Sequence, residues 1–82
     1  MRKEDTYEFQ TDRLRKLVAE RAAGKIISFD DAHPITVRFR IVDPATGIEL
    51  VNADREWMPS ELADKSPNQL WALIKQLSAG RL

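Results

Sequence analysis

The sequence predicts an α+β fold in which an N-terminal amphipathic helix, a small antiparallel β-sheet of two to three strands and a C-terminal helix form one domain over residues 1–82. Three observations support this class. Residues 35–42 alternate apolar and polar side chains, which is typical of a half-buried strand. Residues 43–47 have the composition of a tight turn and lead into a second apolar run at 48–51, so the sheet is built on a central hairpin. Apolar residues at helical spacing precede and follow this hairpin, and both helices are expected to cover the same sheet face.

The hairpin turn leads to a predicted strand register. Asp43 can accept hydrogen bonds from the amides that follow it, Pro44 restricts φ, and Gly47 suits a left-handed conformation. A loop of residues 44–47 pairs Asp43 with Ile48, and counting outward gives the remaining pairs. Those pairs are Val42 with Glu49, Ile41 with Leu50, and Arg40 with Val51. The face expected to be buried carries Val37, Phe39, Ile41, Ile48 and Leu50, and the other face carries Arg38, Arg40, Val42, Glu49 and Val51.

The first helix is predicted at residues 12–23, with Thr11 as its N-cap. Its apolar stripe consists of Leu14, Leu17, Val18 and Ala22. Residues 6–10 fit either a short strand or an earlier helix start capped by Asp5, and the sequence does not separate these interpretations. Residues 1–5 are polar and are expected to be disordered.

A third strand and two C-terminal helical segments complete the prediction. Residues 25–29 favour a short strand beside the hairpin, and one helical turn is predicted to begin at Pro59. The last helix follows Ser66, whose hydroxyl suits an N-cap, with Pro67 at the first position and Gln69 as the capping-box partner. Its apolar stripe consists of Leu70, Leu73, Ile74 and Leu77.

Composition excludes several classes of protein. The chain has no cysteine, so disulfides and thiolate metal sites are absent. Its 13 basic and 13 acidic residues give a formal net charge of zero, whereas dedicated nucleic-acid binders usually carry a basic excess. The N-terminus lacks the apolar segment of a signal peptide, and the longest apolar run, residues 70–74, is far shorter than a membrane span. We therefore expect a cytoplasmic protein with no membrane partner.

The sequence contains no set of residues that predicts catalysis. His33 is the single histidine, and Asp30 or Asp31 could orient it as a base, but a His-Pro pair in a loop is more typical of a turn. Three glycines leave no phosphate-binding loop, and the acidic pairs lack the spacing of a calcium loop. We expect a protein that is not an enzyme and that uses no cofactor, metal or small-molecule substrate.

Nucleic-acid binding is the second of two functional hypotheses. Arg38 and Arg40 project from the same strand face, and Arg13 and Lys16 lie on the basic first helix. Glu49 lies diagonally from Arg40, and such cross-strand pairs commonly neutralise each other. That face also lacks the aromatic side chains on which bases stack.

The first hypothesis is a small protein–protein interaction module that acts as an accessory or regulatory subunit. Trp57, Met58 and Trp71 lie off the periodic apolar pattern, and both residue types are enriched in interfaces. In so small a domain these side chains fit the core equally well. A homodimer is expected because the core is small and an exposed strand edge invites pairing, and another protein is the alternative partner.

Overall fold

The computed structural model describes residues 2–30, 35–52 and 54–82 and confirms the α+β class. A 3-10 turn at Lys3–Asp5 precedes α1 (Tyr7–Arg21), β1 (Ile26–Phe29), β2 (Phe39–Asp43), β3 (Ile48–Val51), α2 (Pro59–Ala63) and α3 (Pro67–Leu77). The three strands form one antiparallel sheet in the order β1-β2-β3. The predicted third strand and the predicted helical turn after the sheet are therefore both present.

Helix α1 begins five residues earlier than predicted, at Tyr7 rather than residue 12, and ends at Arg21 rather than residue 23. Thr6 is the N-cap, and its hydroxyl oxygen accepts a hydrogen bond from the Phe9 amide at 3.2 Å. Thr11, the predicted cap, is buried inside the helix, where its hydroxyl donates to the Glu8 carbonyl at 3.2 Å. Of the two interpretations left open for residues 6–10, the helical one is correct, although Thr6 rather than Asp5 provides the cap.

Within the N-terminal segment expected to be disordered, Arg2 forms an ion pair and the Lys3–Asp5 turn contacts a helix. The Lys3–Asp5 turn packs against α2. The Arg2 guanidinium lies 2.9 Å from the Asp5 carboxylate and 3.5 Å from that of Asp64, just after α2. The hydrogen bond from Arg2 lowers the pKa of the Asp5 carboxyl below its ordinary value.

The turn end of the hairpin confirms the predicted register. Asp43 pairs with Ile48, and the next pair is Val42 with Glu49. The Asp43 carboxylate accepts from the Ala45 amide at 3.0 Å, as the turn composition predicts. Ile48 nevertheless is 52% exposed, because at the turn end of the hairpin it lies outside the hydrophobic cluster that the helices cover. Its predicted face is confirmed by the pairing with Asp43, but its predicted burial is wrong.

Further along the hairpin a β-bulge changes the register. Ile41 pairs with Val51 rather than with Leu50, so Leu50 is the extra residue on β3. Leu50 and Val51 are consequently both buried, although strict alternation would put them on opposite faces. The predicted Ile41–Leu50 and Arg40–Val51 pairs are wrong, as is the outward position of Val51.

One hydrophobic cluster joins both long helices to one face of the sheet. Its buried members are Leu14, Leu17, Val18, Val37, Phe39, Ile41, Leu50, Val51, Trp57, Leu62, Leu70 and Ile74. Helices α1 and α3 therefore cover the same face, as predicted. The opposite face, called the outer face below, carries the side chains of Ile26, Ser28, Arg38, Arg40, Val42 and Glu49.

The C-terminal helices follow the predicted capping chemistry. The Ser66 hydroxyl oxygen accepts from the Gln69 amide at 3.2 Å, and the Gln69 side-chain carbonyl accepts from the Ser66 amide at 2.8 Å. Pro59 and Pro67 occupy the first positions of α2 and α3. Within the described ranges, no helix combines the length and apolar character that crossing a membrane requires.

Candidate interaction surface

The two arginines of the outer face are engaged with carboxylates. The Arg38 guanidinium lies 3.6 Å from the Asp30 carboxylate and 3.7 Å from that of Glu56. Arg40 lies 3.8 Å from Glu49, in the diagonal arrangement expected from the sequence. Two positive charges thus face three negative ones. A nucleic-acid backbone approaching this face would have to displace acidic side chains from both arginines.

The other two nucleic-acid candidates lie on α1, which is packed against the opposite sheet face. The Arg13 guanidinium donates to the Leu62 carbonyl at 2.9 Å and to the Lys65 carbonyl, so it links α1 to the end of α2. Lys16 pairs with Asp12 at 3.0 Å across one exposed helical turn. The four candidates therefore do not share one basic surface.

The three partner-binding candidates have three different environments. Trp57 is buried, its backbone exchanges two hydrogen bonds with Val37 at 2.7 and 2.9 Å, and its ring stacks on Phe39 with centroids 5.5 Å apart. Trp71 is half-buried against the core, whereas Met58 is 44% exposed. Trp57 is therefore a core residue, and Met58 is the most exposed of the three.

Strand β1 forms one edge of the sheet, and the sequence did not predict which of its backbone groups point outward. The Asp30 amide donates to the Arg38 carbonyl at 3.0 Å, and this bond sets the phase of the β1–β2 ladder. Ile26 and Ser28 consequently direct their backbone amides and carbonyls toward β2, whereas Ile27 and Phe29 direct theirs away from the sheet. Within the described part of the chain, no hydrogen bond reaches these outward groups.

The opposite edge of the sheet is partly covered. Glu49 on β3 forms a pair in which its backbone groups point away from β2. Its carbonyl accepts a hydrogen bond from the Arg81 guanidinium at 3.0 Å, beyond the end of α3. Arg81 therefore occupies the position that a further strand would need on this side.

An exposed isoleucine accompanies the open edge. Ile26 is 54% exposed and lies directly opposite the half-buried Val42 on the outer face. The Arg15 guanidinium lies 4.8 Å from the centroid of the Phe29 ring on the other face. We use the name β1 edge for Ile26–Phe29 with the outward backbone groups of Ile27 and Phe29. The sequence predicted only that a strand is present here. Which backbone groups point outward depends on how the strand pairs with β2.

A shallow groove between α1 and α3 is a second, less distinctive surface. Its volume is about 270 Å³, and its apolar lining includes Phe9, Leu17 and Pro67. The charged rim is balanced, since it contains two basic and two acidic side chains, Arg13, Lys16, Asp12 and Glu20. No charge preference for a ligand follows from such a rim.

The described residues were searched for metal-ligand groups and for buried polar atoms without partners. There, no three His, Cys, Asp or Glu side chains come together in a group that could hold a metal ion. Each buried side-chain nitrogen and oxygen of that part has a hydrogen-bond partner. His33 and Asp31, considered above as a base and its orienting partner, lie outside the described residues.

Comparison of the chain with protein-family models, curated proteins and solved structures gives no match. Function must therefore be inferred from the surfaces of the fold itself. Among these, the β1 edge differs because it combines an exposed apolar side chain with backbone groups that have no hydrogen-bond partner among the described residues.

Proposed function

We propose that this chain is a small protein–protein interaction module, an accessory or regulatory subunit that binds its partner by strand addition at the β1 edge. The observation that supports this is the asymmetry of the sheet. Arg81 covers the outward carbonyl of Glu49 on the β3 edge, whereas the outward groups of Ile27 and Phe29 meet no hydrogen-bond partner in the described residues. Strand addition uses such groups for affinity and the alternating side chains for specificity.

The side chains of β1 fit this mode of binding. An incoming strand would cover Ile26 on the outer face and extend the half-buried row of Ile27 and Phe29 on the inner face. Burying the exposed part of an isoleucine removes apolar surface from water and stabilises the complex. Lys25 and Asp30 flank the strand and limit its free length, which opposes indiscriminate pairing.

A matched pair of substitutions tests the proposal. Ile26→Lys introduces a charge at the open edge, and Ile48→Lys makes the same change at an isoleucine of nearly equal exposure, 52% against 54%, on the β3 side. Both variants should fold, because each side chain is already about half in solvent. The wild-type chain and Ile48→Lys, immobilised and exposed to native extract, should retain the same specific protein or further copies of the chain.

Ile26→Lys should lose that retention. Equal retention by all three proteins would contradict strand addition at β1. Loss with Ile48→Lys alone would place binding at the turn end of the hairpin instead.

Nucleic-acid binding through Arg38 and Arg40 is the alternative function, and the contacts give it less support. Both arginines lie within 4 Å of acidic side chains, so binding would first break those ion pairs. The alternative predicts salt-sensitive retardation of labelled DNA or RNA that is lost when both residues are replaced by alanine. Unchanged mobility in low salt would eliminate it.

A further inference from the structure

We propose that the partner at the β1 edge is an extended segment of another protein with an acidic side chain opposite Phe29, where the Arg15 guanidinium binds its carboxylate. This inference rests on the proposed function and goes further, since it states the chemistry of the partner. The charges around β1, and the sheet face on which each of them lies, support it.

Arg15 is an exposed cation beside the open edge. Its guanidinium lies 4.8 Å from the centroid of the Phe29 ring, on the inner face of the sheet that the helices cover. Within the described part of the chain, the ion pairs and hydrogen bonds of the acidic side chains do not include Arg15. A strand added beside Phe29 would therefore place its side chains next to a guanidinium that has no carboxylate partner.

The acidic side chains of α1 do not neutralise Arg15. Asp12, one turn earlier on the helix, is paired with Lys16 at 3.0 Å. Glu8, two turns earlier, is displaced by about 10 Å along the helix axis, which exceeds the screening length of about 8 Å at physiological salt. Glu20 lines the groove between α1 and α3, on another side of the helix.

The acidic side chains of the sheet are also engaged with other cations. Asp43 lies on the inner face but is 3.8 Å from Lys25. Asp30, just after β1, projects by alternation from the outer face, where it is 3.6 Å from Arg38. On the inner face beside β1, Lys25 and Asp43 thus match each other, and Arg15 has no match. Charge complementarity at this position favours a negative side chain on the added strand.

Strand geometry determines which residue of the partner meets Arg15. Residues opposite each other on neighbouring strands have side chains on the same face, with Cβ atoms about 4.5–5.5 Å apart. The residue opposite Phe29 therefore points its side chain to the inner face, next to the ring that Arg15 contacts. Two positions away, an apolar side chain opposite Ile27 would extend the hydrophobic cluster against which Ile27 packs. An antiparallel partner strand should thus carry an acidic residue, then any residue, then an apolar one.

The experiment uses as its probe a short synthetic peptide of alternating valine and threonine, in which one central valine is replaced by glutamate, glutamine or lysine. Titration of the isotope-labelled chain is followed through its backbone amide signals in NMR spectra. The amides of Ile27 and Phe29 point outward and should shift on strand addition, whereas those of Ile26 and Ser28 already face β2. The same spectra show whether each variant is folded.

The wild-type chain should bind the glutamate peptide about two- to fivefold more tightly than the glutamine peptide, as expected for one exposed ion pair. Arg15→Glu should reverse the preference, so that the lysine peptide binds more tightly than the glutamate peptide. Lys16→Glu is the matched control, because it reverses the charge of a side chain that lines the α1–α3 groove instead, and it should keep the wild-type preference. If Arg15→Glu is unfolded, Arg15→Gln replaces it and should bind the glutamate and glutamine peptides equally.

The outcomes separate this inference from the proposed function. Equal binding of the three peptides at Ile27 and Phe29, or the same preference in the Arg15 and Lys16 variants, would overturn the acidic partner and leave strand addition in place. Amide signals of Ile27 and Phe29 that shift with the concentration of the chain alone would identify a second copy as the occupant and also overturn it. If no peptide shifts these signals, the inference is overturned as well, and the capture experiment with Ile26→Lys and Ile48→Lys still decides the proposed function.

Discussion

Replacing Arg13 with alanine should lower the free energy of unfolding by about 2–3 kcal/mol, because the guanidinium connects α1 to the residues that end α2. It donates to the Leu62 and Lys65 carbonyls, and hydrogen bonds that involve a charged group contribute about 1.5–3 kcal/mol each. The sum is reduced on two grounds. Arg13 is only half-buried, and the Leu62 carbonyl keeps a hydrogen bond from the Lys65 amide at 3.1 Å.

Lys16→Ala is the matched control for this substitution. Lys16 lies on the same helix, but its ion pair with Asp12 is exposed, with 73% and 59% of the two side chains accessible. Such pairs contribute about 0–1 kcal/mol, so Lys16→Ala should change the stability little. Urea unfolding followed by far-UV circular dichroism measures both variants, and Arg13→Ala should also lower Tm by about 8–24 °C. Equal stability of the two variants would refute the role assigned to Arg13.

Three further predictions concern the core, a helix cap and a surface ion pair. Trp57→Ala should lower the free energy of unfolding in urea by about 3–5 kcal/mol. Trp71→Ala should lower it clearly less, because Trp71 is half-buried, and equal losses would contradict the core position of Trp57. Ser66→Ala should lower the free energy of unfolding by about 1 kcal/mol, because the N-cap of α3 is lost. Thermal unfolding measures this, and Ser60→Ala, at a serine that is not an N-cap, is the control. Asp5→Asn should lower Tm at neutral pH, because the pKa of Asp5 is depressed by Arg2 in the folded state. A carboxyl group whose pKa is lower in the folded than in the unfolded state stabilises the fold at pH values above its unfolded-state pKa. The Tm difference between Asp5→Asn and the wild type should therefore vanish as the pH falls below the folded-state pKa. A Tm difference that persists in acid would contradict this prediction.

The features that could be predicted from the sequence depend on neighbouring residues. The α3 cap is encoded by Ser66 and Gln69, and the hairpin turn by Asp43 and Gly47, which adopts φ of +74°. Hydrogen bonds and backbone angles within four or five residues determine these structures. The α+β class followed from them, since two amphipathic helices beside a hairpin have few ways to bury their apolar faces.

The features that sequence reasoning missed depend on contacts between distant segments. Two threonines, Thr6 and Thr11, both suit a helix cap, and the buried Gln10 side chain, which donates to the Glu4 carbonyl at 2.7 Å, belongs to the longer helix. The bulge at Leu50 is invisible to a period-two pattern, because any apolar residue of the strand could be the inserted one.

The candidate interaction surface was predictable only in part for the same reason. A strand at residues 25–29 was readable, but which edge stays open depends on Arg81, whose guanidinium contacts a backbone carbonyl 32 positions earlier. Arg13 was misleading for the same reason. Its positive charge suggested a nucleic-acid contact, whereas its hydrogen bonds reach main-chain carbonyls about 50 residues away. A hydrogen bond from an arginine to a main-chain carbonyl leaves no residue pattern in the acceptor.

The burial of Trp57 gives the protein an internal optical reporter. Its indole is stacked on Phe39 and lies where the chain, after the hairpin, returns to pair with Val37. In a Trp71→Phe chain the remaining emission comes from this one site, with a short-wavelength maximum when the segment is docked and a red shift when it opens. Binding at the β1 edge should leave that maximum in place, whereas detachment of the segment from the sheet should move it, so docking and local opening can be followed separately in the same cuvette.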